Sequence, residues 1–293
     1  MEMDKGLVRK HFDRHAFEYD RYAHVQAHMA ARLRQLLAPY AAPSGVRRIL
    51  ELGSGTGGLT RELLSEYADA GLTAVDISAA MLAALGERLA PAAAARVRAV
   101  HGDAEEGAVW ERFADHRDGT VGFFDLIASN ATFQWFNEPA ATLERCLQHL
   151  RPGGVLAFAT FGPRTFHELT AAFRSAETAL GLAHQPHGQT FCTEAQWRSF
   201  FPDRLELWQE ELQVERFASV REFLQSVQKV GAGNASRTGG DAGGPPSGRR
   251  LFAAMQERYA ADYGDESGIP ATYHVCYGVY RKPLRSARAG GRR

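Results

Sequence analysis

Cysteine is scarce in this chain, and its three residues, Cys146, Cys192 and Cys276, lie far apart with no CxxC pair. Neither a disulfide framework nor a cysteine-built metal site is expected. An excess of charge is also missing, because 34 Lys and Arg balance 34 Asp and Glu. Wholesale attraction to nucleic acid or to an anionic membrane needs such an excess, so neither is an expected partner. No apolar run approaches the roughly 20 residues of a membrane span. The opening MEMDKGLVRK is charged and lacks the apolar stretch of a secretion signal. These absences lead to the expectation of a cytoplasmic protein without a resident metal. What is present is 45% hydrophobic residues in 293, enough for one α/β domain with insertions.

The pattern along the chain alternates. Apolar residues recur at helical spacing over 7–40, and Pro39 and Pro43 close that segment. From 46 to 160, short apolar runs (46–52, 72–76, 96–101, 124–129, 155–160) alternate with helical stretches (60–67, 78–89, 139–150). That order predicts a doubly wound parallel sheet with helices on both faces. Beyond it, 165–180, 219–230 and 249–263 read as helices. The segments 205–214 and 272–280 read as two more strands. The stretch 231–248 holds seven glycines and two prolines in 18 residues and is expected to be a loop that packs no core. Six bases and no acid follow Tyr280, and the expectation for 283–293 is a disordered basic tail.

The first strand ends in ELGSGTGGLT, residues 51–60. Glycines at 53, 55 and 58 satisfy GxGxxG, and Asp76 follows at the distance of a ribose-binding acid, as in a nicotinamide site. Two features point elsewhere. Glu51 precedes the turn, where a carboxylate would repel a pyrophosphate. Acids also end the next two strands, Asp76 and then Asp103 with Glu105 in GDAEE. In a doubly wound fold the ligand lies at those carboxyl ends. A ligand that meets acids at three successive strand ends is cationic or rich in hydroxyl and amino donors. S-adenosylmethionine answers that description, with Asp76 accepting from the ribose hydroxyls and the Asp103–Ala104 region accepting from the adenine amine.

ILELGSGTGGLT, AVDIS, GDAE, FDLIASNATFQWF and LRPGGVLAFATFG resemble the class I S-adenosylmethionine-dependent methyltransferases. SNATFQW with TFGPRTFHEL, FDRHAFEYDRYAHVQ, VQKVGAGN and TYHVCYGVY resemble, more narrowly, the malonyl-[acyl-carrier protein] O-methyltransferase family of biotin synthesis, over residues about 8–282. The resemblance implies a Rossmann-like fold with a seven-stranded, mostly parallel sheet and a helical lid. It implies an N-terminal helical cover (1–45) and a methyltransferase domain (46–282) with lid segments near 165–200 and 217–264. It implies S-adenosylmethionine at Glu51, Gly53, Ser54, Gly55, Gly57, Asp76, Ile77, Asp103, Ala104 and Asn130. The expected partner is an acyl carrier protein bearing malonyl, or malonyl-coenzyme A.

Methyl transfer to a free carboxylate needs no general base, since a group with pKa near 4 is about a thousandfold ionised at pH 7. It needs alignment and the exclusion of water. Phe133, Trp135, Phe136, Phe161 and Tyr273 are the candidate aromatic enclosure. Tyr19 and Lys229 are the candidates for holding the substrate carboxylate, and His274 could also donate. Bases after residue 160, among them Arg198, Arg216 and Lys229, are candidates for a carrier-docking face. Alternatives are a methyltransferase acting on a quinone or another small acid, a non-methylating assembly factor of the same fold, and a nicotinamide dehydrogenase.

Overall fold

The computed structural model describes residues 3–113, 123–231 and 246–284. Most of the glycine-rich stretch, and the basic tail from 285, fall outside them. Seven strands form one sheet in the order β3-β2-β1-β4-β5-β7-β6. They are β1 Arg48–Leu52, β2 Gly71–Asp76, β3 Val97–His101, β4 Phe124–Asn130, β5 Leu150–Phe161, β6 Leu207–Phe217 and β7 Ile269–Arg281. The first five run parallel, and β7 is antiparallel to both β5 and β6. This is the Rossmann-like, mostly parallel sheet expected.

The helices are α1 Lys5–His15, α2 His24–Leu37, α3 Gly58–Glu66, α4 Ala79–Arg88, α5 Pro91–Ala94, α6 Gly107–Glu111 and α7 Pro139–His149, followed by α8 His167–Ala179, α9 Glu194–Ser199, α10 Val220–Lys229 and α11 Pro246–Tyr263. Alternation along each strand divides the core. Ile49 of β1 faces α2 and α3, packing with Leu33, Leu63 and Val275. Leu50, its neighbour, faces α6, α7 and α9, packing with Trp110, Leu143 and Trp197. Period-2 side chains on a doubly covered sheet require this split. A third cluster joins α8, α10 and α11 to Ile269 and Ala271 of β7.

Two differences from the sequence pattern matter. The 7–40 segment is two helices, not one. Between them the chain turns through a 3₁₀ segment at Tyr19–Arg21, where Asp20 accepts a hydrogen bond from the Thr56 hydroxyl at 2.5 Å. That polar tie draws the break onto the glycine turn, and apolar periodicity carries no trace of it. The short helix α9 also escaped periodicity, though TEAQ at 193–196 is a capping box that announces it.

Leu33 of α2 is fully buried against the sheet. Leu33→Ala should cost about 2–5 kcal/mol of unfolding free energy, read as a lower urea midpoint at unchanged slope. An unchanged midpoint would mean that α2 is not part of the cooperative core.

Candidate active site

The cavity lies at the carboxyl ends of β1 to β4, and its free space, counted to the open mouth, is about 620 Å³. Its floor is the turn after β1. Gly53, Gly55 and Gly57 have φ of 70°, 53° and 90°, left-handed values that glycine adopts without steric cost. At Gly53 an added Cβ would collide with the Thr132 side chain, whereas at Gly55 it would project into open space. Gly55 is therefore where a ligand can press closest to the backbone.

Asp76 governs the turn. It is buried, its Oδ2 accepts from Gly55 N–H at 2.7 Å, and its Oδ1 accepts from Ser78 N–H at 2.8 Å. Burial pushes its carboxyl up to about 6, against the pull of those two N–H donors. Glu51 lies deeper, 1% exposed, and takes the Thr60 hydroxyl at 2.6 Å. Burial pushes it up to about 8, opposed by that hydrogen bond, while nearby Asp76 adds to the rise. At β3, Asp103 accepts from Glu105 N–H at 2.9 Å, and Lys5 approaches it at 3.5 Å. Asn130 donates to the Gln26 carbonyl at 2.9 Å. Its Oδ1 is buried with no protein donor, an acceptor that suits a ligand N–H or O–H.

The N-terminal segment forms the roof. Lys5, Val8, Phe12 and Tyr19 line the cavity opposite Asp76, Asp103 and Asn130. Asp13 on α1 accepts from the Ser78 hydroxyl at 2.6 Å, and Phe12 meets Trp135 edge-on at 5.6 Å. Enclosure first, then Asp76 and Asp20, hold the Tyr19 phenol far above its ordinary range. It therefore remains a neutral hydroxyl.

Among the sequence candidates, Gly53, Gly55, Asp76, Ile77, Asp103, Ala104, Asn130, Tyr19 and Trp135 line this cavity, as does Phe136. Glu51, Ser54 and Gly57 are not among its lining residues; they lie in and behind the turn. Phe133 does not line it either. It packs with Phe158 and Trp197 at 5.5 Å each, in the core on the α7 side. Phe161 and Tyr273 pack against each other at a tilt, ring centroids 5.7 Å apart, in the opposite core. Alternation along β5 and β7 turns Phe161 and Tyr273 into one core layer, and Phe133, in the 3₁₀ segment Phe133–Trp135 after β4, packs into the other. Lys229 also lies off the cavity, and its ammonium donates to Glu18 at 2.6 Å. Among the described residues, the expected lid segments 165–200 and 217–264 contribute none to the lining. Sequence reasoning missed Lys5, Val8, Phe12, Met81 and Thr132. The i, i+3, i+7 spacing of Lys5, Val8 and Phe12 is helical, but it does not say which wall that helix covers.

One set of metal-capable groups stands elsewhere, where Glu210, His274 and Cys276 place their ligand atoms within 4.8 Å of one another. Arg164 N–H donates to His274 Nδ1 at 3.3 Å. The His274 Nε2 lies 2.9 Å from the Glu210 carboxylate and 3.1 Å from the Arg164 guanidinium. The Arg164 guanidinium also reaches Glu210, at 3.2 Å. Glu210, His274 and Arg164 are joined in one hydrogen-bonded network.

A testable consequence concerns Glu51. Its folded pKa lies above its unfolded value, so the native state holds a proton that the unfolded state has released. Stability should fall as pH rises from about 4.5 to about 8, by at most roughly 1.4 kcal/mol per pH unit. Glu51→Gln should remove this slope between pH 6.5 and 8. Urea unfolding of the ligand-free protein across that window measures it; parallel curves for wild type and variant would refute the assignment.

Comparison with known proteins supplies the family. The family described as "Methyltransferase domain" matches residues 50–156. Malonyl-[acyl-carrier protein] O-methyltransferase of Halalkalibacterium halodurans is 36% identical over 283 residues, covering 94% of this chain and 98% of that protein. The enzyme of the same name from Geobacter sulfurreducens is 35% identical, covering 96% and 100%. Among solved structures, the YcgJ protein of Bacillus subtilis aligns with a TM-score of 0.54 at 13% identity, over 86% of this chain and 98% of that one. The [4+2]-cyclase SpnF aligns with a TM-score of 0.50 at 20% identity, over 87% and 82%. These two likenesses speak to fold alone, and the cyclase shows that the fold does not dictate the reaction. Full-length identity of about 35% is a stronger warrant: the chain is an O-methyltransferase and belongs to the malonyl-[acyl-carrier protein] O-methyltransferase family.

Proposed function

We propose that this protein methylates the free carboxylate of a malonyl thioester carried on an acyl carrier protein, giving the malonyl methyl ester that enters biotin synthesis, with S-adenosylmethionine as methyl donor. The observation that carries the reading is the cavity's charge. Asp76 and Asp103 line it, and its one lysine, Lys5, is paired with Asp103 and Glu105. Such a floor disfavours a pyrophosphate and favours a ligand with ammonium, sulfonium and diol groups. The residues fit that donor. Gly55 is open to the cavity, Asp76 retains free lone pairs, and the Asn130 oxygen has no protein donor.

S-adenosylmethionine supplies an electrophilic methyl group on a cationic sulfur. The chain supplies position and a dry enclosure. Asp76 holds a diol, Asp103 and the Ala104 backbone hold the base end, and Gly55 admits the amino-acid end. Trp135, Phe136 and Phe12 form an apolar wall beside Tyr19. Opposite charges neutralise when a carboxylate accepts a methyl cation equivalent, and exclusion of water favours that. An aromatic face adds about 0.5–2 kcal/mol of attraction for the cation. Tyr19, held neutral, can donate to the substrate carboxylate without quenching it as a bidentate arginine would. A glutamate already engages Lys229, which weakens its candidacy for that task.

Affinity for S-adenosylhomocysteine should be flat above pH 7 and should fall about tenfold per unit below pH 6, as Asp76 takes up a proton in the free protein. Asp76→Asn should bind at least tenfold more weakly at pH 7.5 and lose the pH dependence. Calorimetry from pH 5 to 8 decides, and unaltered affinity in the variant would remove the ribose from Asp76.

The reaction itself is tested by mass detection of the ester on malonyl-carrier protein. The rate at saturating donor should change less than tenfold between pH 6 and 8. Acetyl-carrier protein, lacking the carboxylate, should be inert. Transfer to a quinone with none to malonyl thioesters would overturn the substrate assignment.

A further inference from the structure

The segment from Asp4 to Arg21 sorts its charges by sign. Each of its acids turns toward the protein. Asp4 caps Leu7 N–H at 3.0 Å, Asp13 takes the Ser78 hydroxyl, Glu18 takes Lys229 and His15, and Asp20 takes the Thr56 hydroxyl. The bases Arg9, Lys10, Arg14 and Arg21 are exposed and have no acidic partner among the described residues. On α1 the side chains of Val8 and Phe12 face the cavity. At 100° per residue, Lys10 and Arg14 fall on the opposite side, one turn apart. Leu7, 37% exposed, shares that outer side, and Phe17, 72% exposed, follows in the turn. A surface with unpaired bases and exposed apolar side chains is built for an anionic macromolecule.

The C-terminal bases offer a poorer surface. Arg198 is paired with Glu194, Arg216 with Asp265, and Lys229 with Glu18. Arg221, Arg249 and Arg250 lie on α10 and α11, which contribute nothing to the cavity wall. Among the described helices, α1 presents unpaired bases on one side and cavity wall on the other, one helix diameter of about 10 Å apart.

We propose that the outer face of α1, centred on Lys10 and Arg14, is the docking surface for the carrier protein. This rests on the substrate reading above. The carrier's acyl group rides on a pantetheine arm joined through a phosphodiester, so the end that must reach the enzyme's surface is anionic. Docking on α1 brings that arm to the mouth of the cavity whose roof α1 forms. The same helix then recognises the carrier outside and encloses the reaction inside.

The test compares wild type with the double variant Lys10→Glu/Arg14→Glu on two acceptors, malonyl-carrier protein and carrier-free malonyl-pantetheine. KM for the carrier-bound acceptor should rise at least tenfold in the variant. The kcat, the affinity for S-adenosylhomocysteine and the rate on malonyl-pantetheine should be unchanged. In the wild type, KM for the carrier alone should climb with added NaCl. An unaltered carrier KM overturns the proposal. So does an equal loss on both acceptors, which would make α1 a structural roof only. Lost cosedimentation with phosphatidylglycerol vesicles at unchanged carrier KM would assign the face to a lipid surface and overturn it as well. If wild type methylates neither malonyl acceptor, the substrate reading fails, and docking falls with it.

Discussion

A carboxylate buried at the end of β2 is the constraint on which the site is built. Asp76 must be out of water to be a strong acceptor, yet burial raises its pKa toward neutrality. Two backbone N–H groups, from Gly55 and Ser78, limit that rise. Those same bonds fix the glycine turn on one side and the start of α4 on the other. The Ser78 N–H lies at the helix cap, where N–H groups are otherwise unsatisfied. One side chain thus sets the backbone conformation of two loops and stays partly available for a ligand. Moving it would leave the left-handed glycines without their brace.

The N-terminal segment is shaped by the same requirement for satisfied polar groups. Asp13 and Asp20 reach down to Ser78 and to Thr56, residues of the two loops that Asp76 organises. The cover is therefore held by hydrogen bonds to the cavity floor and by the Phe12–Trp135 contact. Both attachments are to the site itself, so a ligand seated below them also stabilises its roof.

Much of this was legible in the sequence. Alternating apolar runs specified the five parallel strands, and the acids at 76 and 103 marked the strand ends where the cavity lies. Side-chain direction was less legible. Phe133, Phe161 and Tyr273 sit at or near the correct edge, yet they turn into the packed layers. For Phe161 and Tyr273, on β5 and β7, a one-residue difference in the strand reverses the face, and aromatic composition does not reveal it. The split between α1 and α2 was hidden for another reason. Its cause is a pair of hydrogen bonds to residues 36 and 65 positions away, and local periodicity records no such tie.

The C-terminal helices, expected as a lid, take a different part. None of α8, α10 and α11 reaches the cavity, yet α10 ends against its cover. Lys229 donates to Glu18, and a Cβ on Gly231 would strike the Phe12 ring. A glycine with φ of 79° ends that helix where any side chain would displace the aromatic roof. Glu18 stays ionised because Lys229 and His15 hold its carboxyl below the ordinary range. The ion pair is half-exposed and adds little energy by itself; the contact of Gly231 with Phe12 supplies the shape. The helical layer on β7 thus bears on the cavity at one remove, through its contacts with the segment that covers it.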